Sequence, residues 1–420
     1  MMRLLALATT SELLSTSAGF VSRPRAETRW LPGNPLQISS ATDSTPADTA
    51  KSRAAAAAAL LDGFDYHSDD RLPYSKDGYL SWDWSTHHNP AFQEALKSAD
   101  SPDKQKYQTT YQVNYIEMGG RGADDAEEGD KPVLLLVHGF GASAYHWRNN
   151  IPVLARKYHV YALDLLGFGW TDKPVQDYDA SVWRDQVVDF VRDVVLDGGR
   201  RRRDVAIAGN SLGGYTALFA STDERLADVL RGTVLLNGAG QFRDPDAPSA
   251  EKEEERPNPI IESVSAAIQR FVIACSFIYT KQPMRIEQIL KNVYPVTAEN
   301  VDRELVSSIH TPALDPDAPE VFFRVITRKG RGEQPLVDDL LMKLKTPLLL
   351  AWGREDPWIK PAAADKIEVL HAKFHGENVG GSSGARWLER VDIDAGHCPH
   401  DESPEAVNNA ILDFAEKVFR

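Results

Sequence analysis

The segment from Val205 to Tyr215 constrains this chain more than any other. Val205-Ala206-Ile207-Ala208 has the composition of a buried strand, Gly209-Asn210-Ser211-Leu212-Gly213 follows it, and residues 216–220 are helix formers. A strand that turns sharply into a helix leaves little room at the crossing, and glycines at 209 and 213 let the neighbouring backbone pass. The serine at the apex is lifted clear of the sheet. A serine hydroxyl is a poor nucleophile at neutral pH and acts only when it is exposed beside a base. The helix that starts there adds N–H groups that favour a developing negative charge.

Strand-like runs recur on both sides, at 111–118, 133–137, 160–163, 233–236, 348–352 and 391–393. Between them lie stretches of helical spacing, such as 179–196, where Val182, Gln186, Val187, Phe190, Val194 and Val195 cluster on one face. Short continuous apolar runs alternating with amphipathic stretches predict an α/β fold, a mostly parallel central sheet covered on both faces. The rhythm fails between 240 and 344, where helical patterns at 260–279, 283–293 and 301–309 replace strands. That stretch, about 241–344, reads as a helical lid inserted after the sixth core strand. The length of 420 residues, at roughly 150 per domain, allows two or three domains. The organisation expected is a targeting presequence and disordered tract over 1–60, an arm or linker of uncertain order over 61–106, and one α/β domain over 107–420.

An elbow serine predicts an acid and then a histidine, each after a later strand. The run 348–352 ends in Gly353-Arg354-Glu355-Asp356, and Val391-Asp392-Ile393-Asp394 leads to Ala395-Gly396-His397. The assignment is Ser211 as nucleophile, His397 as general base and then acid, and Asp356 as the group that orients the imidazole. Histidine suits this exchange because its ordinary pKa of about 6.5 lets it take and return a proton near neutrality. Glu355 is the nearest rival to Asp356, while Asn237 cannot supply the charge. His138-Gly139-Phe140-Gly141 follows the run 133–137, so the backbone N–H groups of Phe140 and Leu212 are the expected oxyanion hole. His138, Trp147, Tyr215, Phe271, Phe277, Ile278 and Trp358 are the candidates for the substrate pocket and its lid. An apolar roof of that kind should prefer a large hydrophobic ester.

Several other chemistries are disfavoured. Lys+Arg 47 against Asp+Glu 61 leaves a formal net charge of −14, which argues against holding a nucleic-acid backbone over a broad face. Two cysteines exclude a disulfide framework, and no apolar run approaches the ~18 residues that span a bilayer. Gly139-x-Gly141-x-x-Ala144 with Asp164 imitates a dinucleotide fingerprint, but a strand pair precedes it and a complete Ser/Asp/His set lies downstream. His397-Cys398-Pro399-His400 holds three possible metal ligands without a matching pair elsewhere, so neither a metal nor a cofactor is expected. The arginines at 200–203 and the acidic run at 251–255 read as solvated loops, with contact to anionic lipid a second reading for the arginines.

Taken together, Val137-His138-Gly139-Phe140-Gly141-Ala142-Ser143-Ala144-Tyr145-His146-Trp147-Arg148, the run 161–170, the elbow, and Ala395-Gly396-His397-Cys398-Pro399-His400-Asp401-Glu402 carry a resemblance. They resemble the pheophytinase-related α/β-hydrolases of plants and algae, the chlorophyll dephytylases, from about residue 133 to the C-terminus. The resemblance implies hydrolysis of the phytyl ester of chlorophyll or pheophytin in plastids. It places nucleophile, acid and base on Ser211, Asp356 and His397. The implied partners are a hydrophobic ester substrate and a peripheral thylakoid surface, with no obligate protein partner. Residues 17–21, a small-residue site followed by Phe20, resemble the bipartite plastid presequences of algae with complex plastids, so the segment is expected to be cleaved. Tyr215 stands where the plant enzymes are expected to have phenylalanine, and the loops at 200–203 and 376–384 look longer. The readings kept open are a lipid or general carboxylesterase, a C–C bond hydrolase of the same fold, and a non-catalytic protein that binds a hydrophobic ligand.

Overall fold

The computed structural model describes residues 71–74, 79–85, 110–119, 131–244, 259–327, 334–376 and 386–420. The presequence expected over 1–60, the acidic run at 251–255 and nearly all of the 376–384 loop lie outside the described residues.

Eight strands form one sheet in the order β1-β2-β4-β3-β5-β6-β7-β8. They are β1 (Leu80–Ser85), β2 (Thr110–Met118), β3 (Val133–Val137), β4 (His159–Leu163), β5 (Val205–Asn210), β6 (Leu230–Leu236), β7 (Leu348–Gly353) and β8 (Leu388–Ile393). From β4 to β8 every pairing is parallel, while β1–β2 and β2–β4 are antiparallel. Sequence and burial agree on the reason. β3, β4, β5 and β7 are buried at every position, as parallel strands covered on both faces must be. The edge strand β8 carries Glu389, Arg390 and Asp392 and is only partly buried.

The sheet begins earlier than the expected boundary at 107. β1 belongs to the segment read as an arm or linker, yet it pairs with β2 from Leu80↔Tyr115 to Ser85↔Thr110. Its six residues alternate, with Leu80, Trp82 and Trp84 inward and Ser81, Asp83 and Ser85 outward. The period was there to read, but it is short and its charged outer face looks like a loop. Trp84 anchors it by donating from Nε1 to Asp189 at 2.9 Å.

Eleven helices matter for placing the site. α1 (Ile151–Ala155), α2 (Ala180–Phe190) and α3 (Leu212–Ala220) lie before β6. α4 (Pro259–Thr280), α5 (Pro283–Val293), α6 (Arg303–His310), α7 (Ala318–Thr327) and α8 (Val337–Lys343) stand between β6 and β7. α9 (Ala362–His375), α10 (Pro399–Glu402) and α11 (Pro404–Val418) complete the chain. Capping explains two of the starts: Asp179 accepts from the N–H groups of Ser181 and Val182 ahead of α2, and Asp302 accepts from Leu305 ahead of α6. One face of the sheet packs Trp82, Trp84, Tyr115 and Phe190, and the other packs Trp147, Ile151, Ile411 and Phe414.

The arginine loop departs from its solvated reading at one end. Arg200 is exposed and bridges Asp197, but Arg203 is buried, with Nη1 2.6 Å from His159 Nδ1. Just before β5, Arg203 reaches past β3 to the first residue of β4, a partner that a string of four arginines does not reveal.

Candidate active site

Register brings the loops together. Val137 pairs with Gly209, Asn210 with Leu236 and Gly353 with Ile393, so neighbouring parallel strands end at one edge and their loops share a crevice. Ser211 sits between β5 and α3 with φ 54° and ψ −116°, a left-handed strain that only a closely packed turn sustains. A Cβ on Gly209 would lie 2.1 Å from Gly213 O, and one on Gly213 would lie 2.2 Å from Val137 O. Gly213→Ala is therefore expected to cost about 3 kcal/mol or more in denaturant unfolding. Gly238→Ala is the control, since its Cβ meets nothing closer than Leu235 Cβ at 3.6 Å. Equal stability of the two variants would show that the crossing tolerates a side chain.

Asp356 and His397 meet across the ends of β7 and β8. His397 Nδ1 lies 2.8 Å from Asp356 Oδ2. The same carboxylate accepts from Asn237 Nδ2 at 2.7 Å, Trp358 N at 2.7 Å and Ile359 N at 3.0 Å. With every other neighbour donating, the carboxylate accepts the Nδ1 hydrogen and leaves Nε2 as the ring nitrogen with a free lone pair. Sequence reasoning had set Asn237 aside for lack of charge. The structure gives it a different part: at φ 45°, it donates to Asp356 and accepts from Gly353 N, which locks the acid against β6.

The histidine loop is fastened from several sides. His397 N donates to Val293 O, and Asn210 Nδ2 donates to His397 O. Glu402, buried, accepts from Gly396 N, Val296 N and Thr297 N, joining the loop to the turn after α5. Below it, Arg148 binds Asp401 through Nε at 2.8 Å, Tyr294 donates to Asp401, and His146 Nε2 lies 2.7 Å from Tyr294 Oη.

Ser211 and His397 both line one cavity of about 200 Å³. Its walls are mostly apolar, with Phe140 and Phe168 from the loops and Phe277, Ile286, Leu290 and Phe322 from the helices between β6 and β7. Of the pocket candidates, Phe277 and Trp358 are on that wall, and the Trp358 ring lies 4.9 Å from the His397 ring. A Cβ on Gly139 would stand 3.3 Å from Ser211 Cβ, so the loop bearing Phe140 abuts the elbow. Leu212 is the first residue of α3, where an N–H has no acceptor within the helix.

The other candidates are elsewhere. His138 is buried behind the loop: its Nε2 accepts from Leu165 N and its Nδ1 donates to Gly139 O, and burial pushes its pKa down to about 4. Trp147 is buried and packs 4.3 Å from the His400 ring, so His400 faces the core rather than joining His397 and Cys398 around an ion. Tyr215 donates to Pro335 O, Ile278 is 56% exposed, and the side chain of Phe271 on α4 lies outside the described residues. Asp164, the acid of the dinucleotide imitation, is consumed by Ala144 N and Trp170 N, and burial pushes its pKa up to about 7. Phe168, Phe322, His146 and Asn237 were not anticipated. A clue existed only for Phe168, an aromatic between Gly167 and Gly169 after a strand.

A model of the alpha/beta hydrolase family matches residues 134–410. The chain is 31% identical over 320 residues to the chloroplastic pheophytinase of Arabidopsis thaliana, covering 66% of this chain and 60% of that one. It thus spans less than two thirds of that relative's length. It is 27% identical over 327 residues to 2-hydroxy-6-oxo-6-(2'-aminophenyl)hexa-2,4-dienoic acid hydrolase of Metapseudomonas resinovorans, covering 74% of this chain and 94% of that enzyme. A thermophilic esterase from Thermogutta terrifontis with malate bound superposes with a TM-score of 0.53 at 18% identity, covering 81% of this chain and 99% of that one.

Proposed function

Because the chain belongs to the alpha/beta hydrolase family, we propose that it is a serine carboxylic-ester hydrolase that removes the phytyl chain from chlorophyll or pheophytin. The observation that carries the ester reading is the apolar cavity whose floor holds Ser211 and His397. The likeness to pheophytinase supports the pigment.

In this reading Ser211 Oγ attacks the ester carbonyl while His397 Nε2 takes its proton. The oxyanion is received by the N–H groups of Phe140 and Leu212, each worth about 10²–10³ in rate. Collapse expels phytol, which takes the proton back from His397, and leaves the pigment acyl group on Ser211. Water, deprotonated by His397, then attacks the acyl carbon, and Ser211 Oγ leaves with that proton, releasing chlorophyllide or pheophorbide. Asp356 keeps Nδ1 protonated throughout. The helices between β6 and β7 serve as the lid, and the proposed place of action is the plastid, after removal of the segment 1–60.

The test is incubation with chlorophyll a, pheophytin a and a short p-nitrophenyl ester, each beside Ser211→Ala. The expected result is Ser211-dependent phytol release from at least one pigment. Turnover of the short ester alone would discard the pigment and keep the ester reading. A second reading is hydrolysis of a C–C bond in a ring-fission product, favoured by the 94% coverage of the Metapseudomonas enzyme. Turnover of such a dienoate with neither pigment touched would select it. Failure of folded protein to react with a fluorophosphonate would favour a non-catalytic binding protein.

A further inference from the structure

The cavity that holds Ser211 and His397 carries permanent charge of one sign. Lys173 and Lys281 line it and no Asp or Glu does, in a protein of formal net charge −14. Its other polar groups are largely consumed by the protein itself. Lys173 Nζ donates to Gly169 O at 2.8 Å and to Thr171 O at 3.2 Å. Thr280 Oγ1 donates to Ser276 O and Ser308 Oγ to Leu305 O, each inside its own helix. Asn210 Nδ2 is shared between Leu236 O and His397 O. Lys281 is different. Among the described residues its ammonium makes no hydrogen bond or ion pair, and it stands 5.5 Å from the Phe277 ring, another wall of the cavity.

The backbone that carries this side chain is fixed from two directions. Lys281 N donates to Phe277 O at the end of α4, and His310 Nδ1, at the end of α6, donates to Lys281 O at 2.8 Å. Three N–H donors are left for a ligand. Apolar walls screen a charge less than water does, so a ligand oxygen is held more firmly there. A plain hydrocarbon in the same place would strip water from the ammonium and return nothing.

We propose that Lys281 is a specificity-determining residue that receives an oxygen acceptor on the acyl part of the substrate, a carboxylate or a ketone remote from the ester. The substrate class is then an apolar ester whose acyl group carries a second oxygen function, rather than a plain fatty ester. This rests on the ester-hydrolase reading, which puts the scissile ester at Ser211. The pigments of that reading fall within the class, because their acyl part bears a ketone on its carbocyclic ring.

The experiment reads binding to the full-length Ser211→Ala chain by titration calorimetry. Three methyl esters differ only at the far end: monomethyl dodecanedioate, methyl 11-oxododecanoate and methyl dodecanoate. The carboxylate is expected to bind tightest, the ketone next and the alkyl ester weakest. About tenfold to a hundredfold should separate first from last, which is what a hydrogen bond to a charged group is worth. Adding Lys281→Met should shrink that ratio to about twofold, while Lys281→Arg, which keeps the charge, retains most of it. A merely structural part for Lys281 would weaken all three ligands alike and leave the ratio standing. Matching thermal unfolding midpoints certify that the variants are folded. Equal binding of the three esters, a preference that survives Lys281→Met, or no binding at all would overturn the proposal. A preference confined to the carboxylate would uphold Lys281 and remove the ketone from its ligands. Hydrolysis is measured separately, so a chain that turns over no ester can still show or lack the preference.

Discussion

For the proposed ester hydrolysis, Ser211→Ala is expected to lower turnover by about a millionfold while leaving substrate binding measurable. Removing the nucleophile of such a set costs about as much as removing all its members, because base and acid act only through it. The substitution deletes one oxygen from a strained turn whose geometry is imposed by Gly209 and Gly213, and it leaves the cavity walls untouched. Fluorescence quenching of a bound pigment and single-turnover hydrolysis separate the two effects. Retained turnover would move the nucleophile elsewhere. Asp356→Asn should cost about 10⁴ by the same measurement, since an amide in that place selects the wrong imidazole tautomer. The surroundings sharpen this expectation. Oδ2 accepts from both His397 and Asn237, and Oδ1 from Trp358 and Ile359, so no orientation of an amide satisfies all four donors.

Stability is expected to fall steeply as pH drops from 6.5 to 5. Burial lowers the pKa of His138 to about 4, of His146 to about 3 and of His371 to about 4, and pushes His400 well below its ordinary value. In the unfolded chain these rings titrate near 6.5, so below that pH the unfolded state binds more protons and is favoured. Their contribution is complete above about pH 6.5 and is lost as pH falls toward their folded values. Buried acids work in the opposite sense. Asp164 is raised to about 7 and Asp189 to about 6, chiefly by burial, and both hold a proton in the native state that the unfolded chain releases. Asp172 and Asp401 are raised in the same direction. Four histidines outnumber Asp164 and Asp189, the two acids raised furthest, so unfolding takes up protons on balance and stability falls from pH 6.5 to 5. Urea midpoints measured from pH 5 to 8 give the answer directly, and a level profile would contradict the buried neutral histidines.

Contiguous residues with a clear period or a steric demand were readable without coordinates. The uniform apolar runs of β3, β4, β5 and β7 name a covered parallel sheet, because a strand buried on both faces has no polar side to show. Gly209 and Gly213 around Ser211 describe a crossing that no side chain survives, and the order Ser211, Asp356, His397 follows from strand ends that share an edge. Tertiary structure decided what each side chain faces. His138, Trp147 and Tyr215 sit in or beside the telling motifs yet turn into the core, while Phe322 reaches the cavity from a helix over a hundred residues beyond the elbow. Asn237 gained its place only when β6 lay beside β7 and set it 2.7 Å from Asp356. Backbone path is governed by local sterics and periodicity, which a sequence carries in order. Direction and partnership are settled by which elements pack, and that information is spread across positions that meet only in the folded chain.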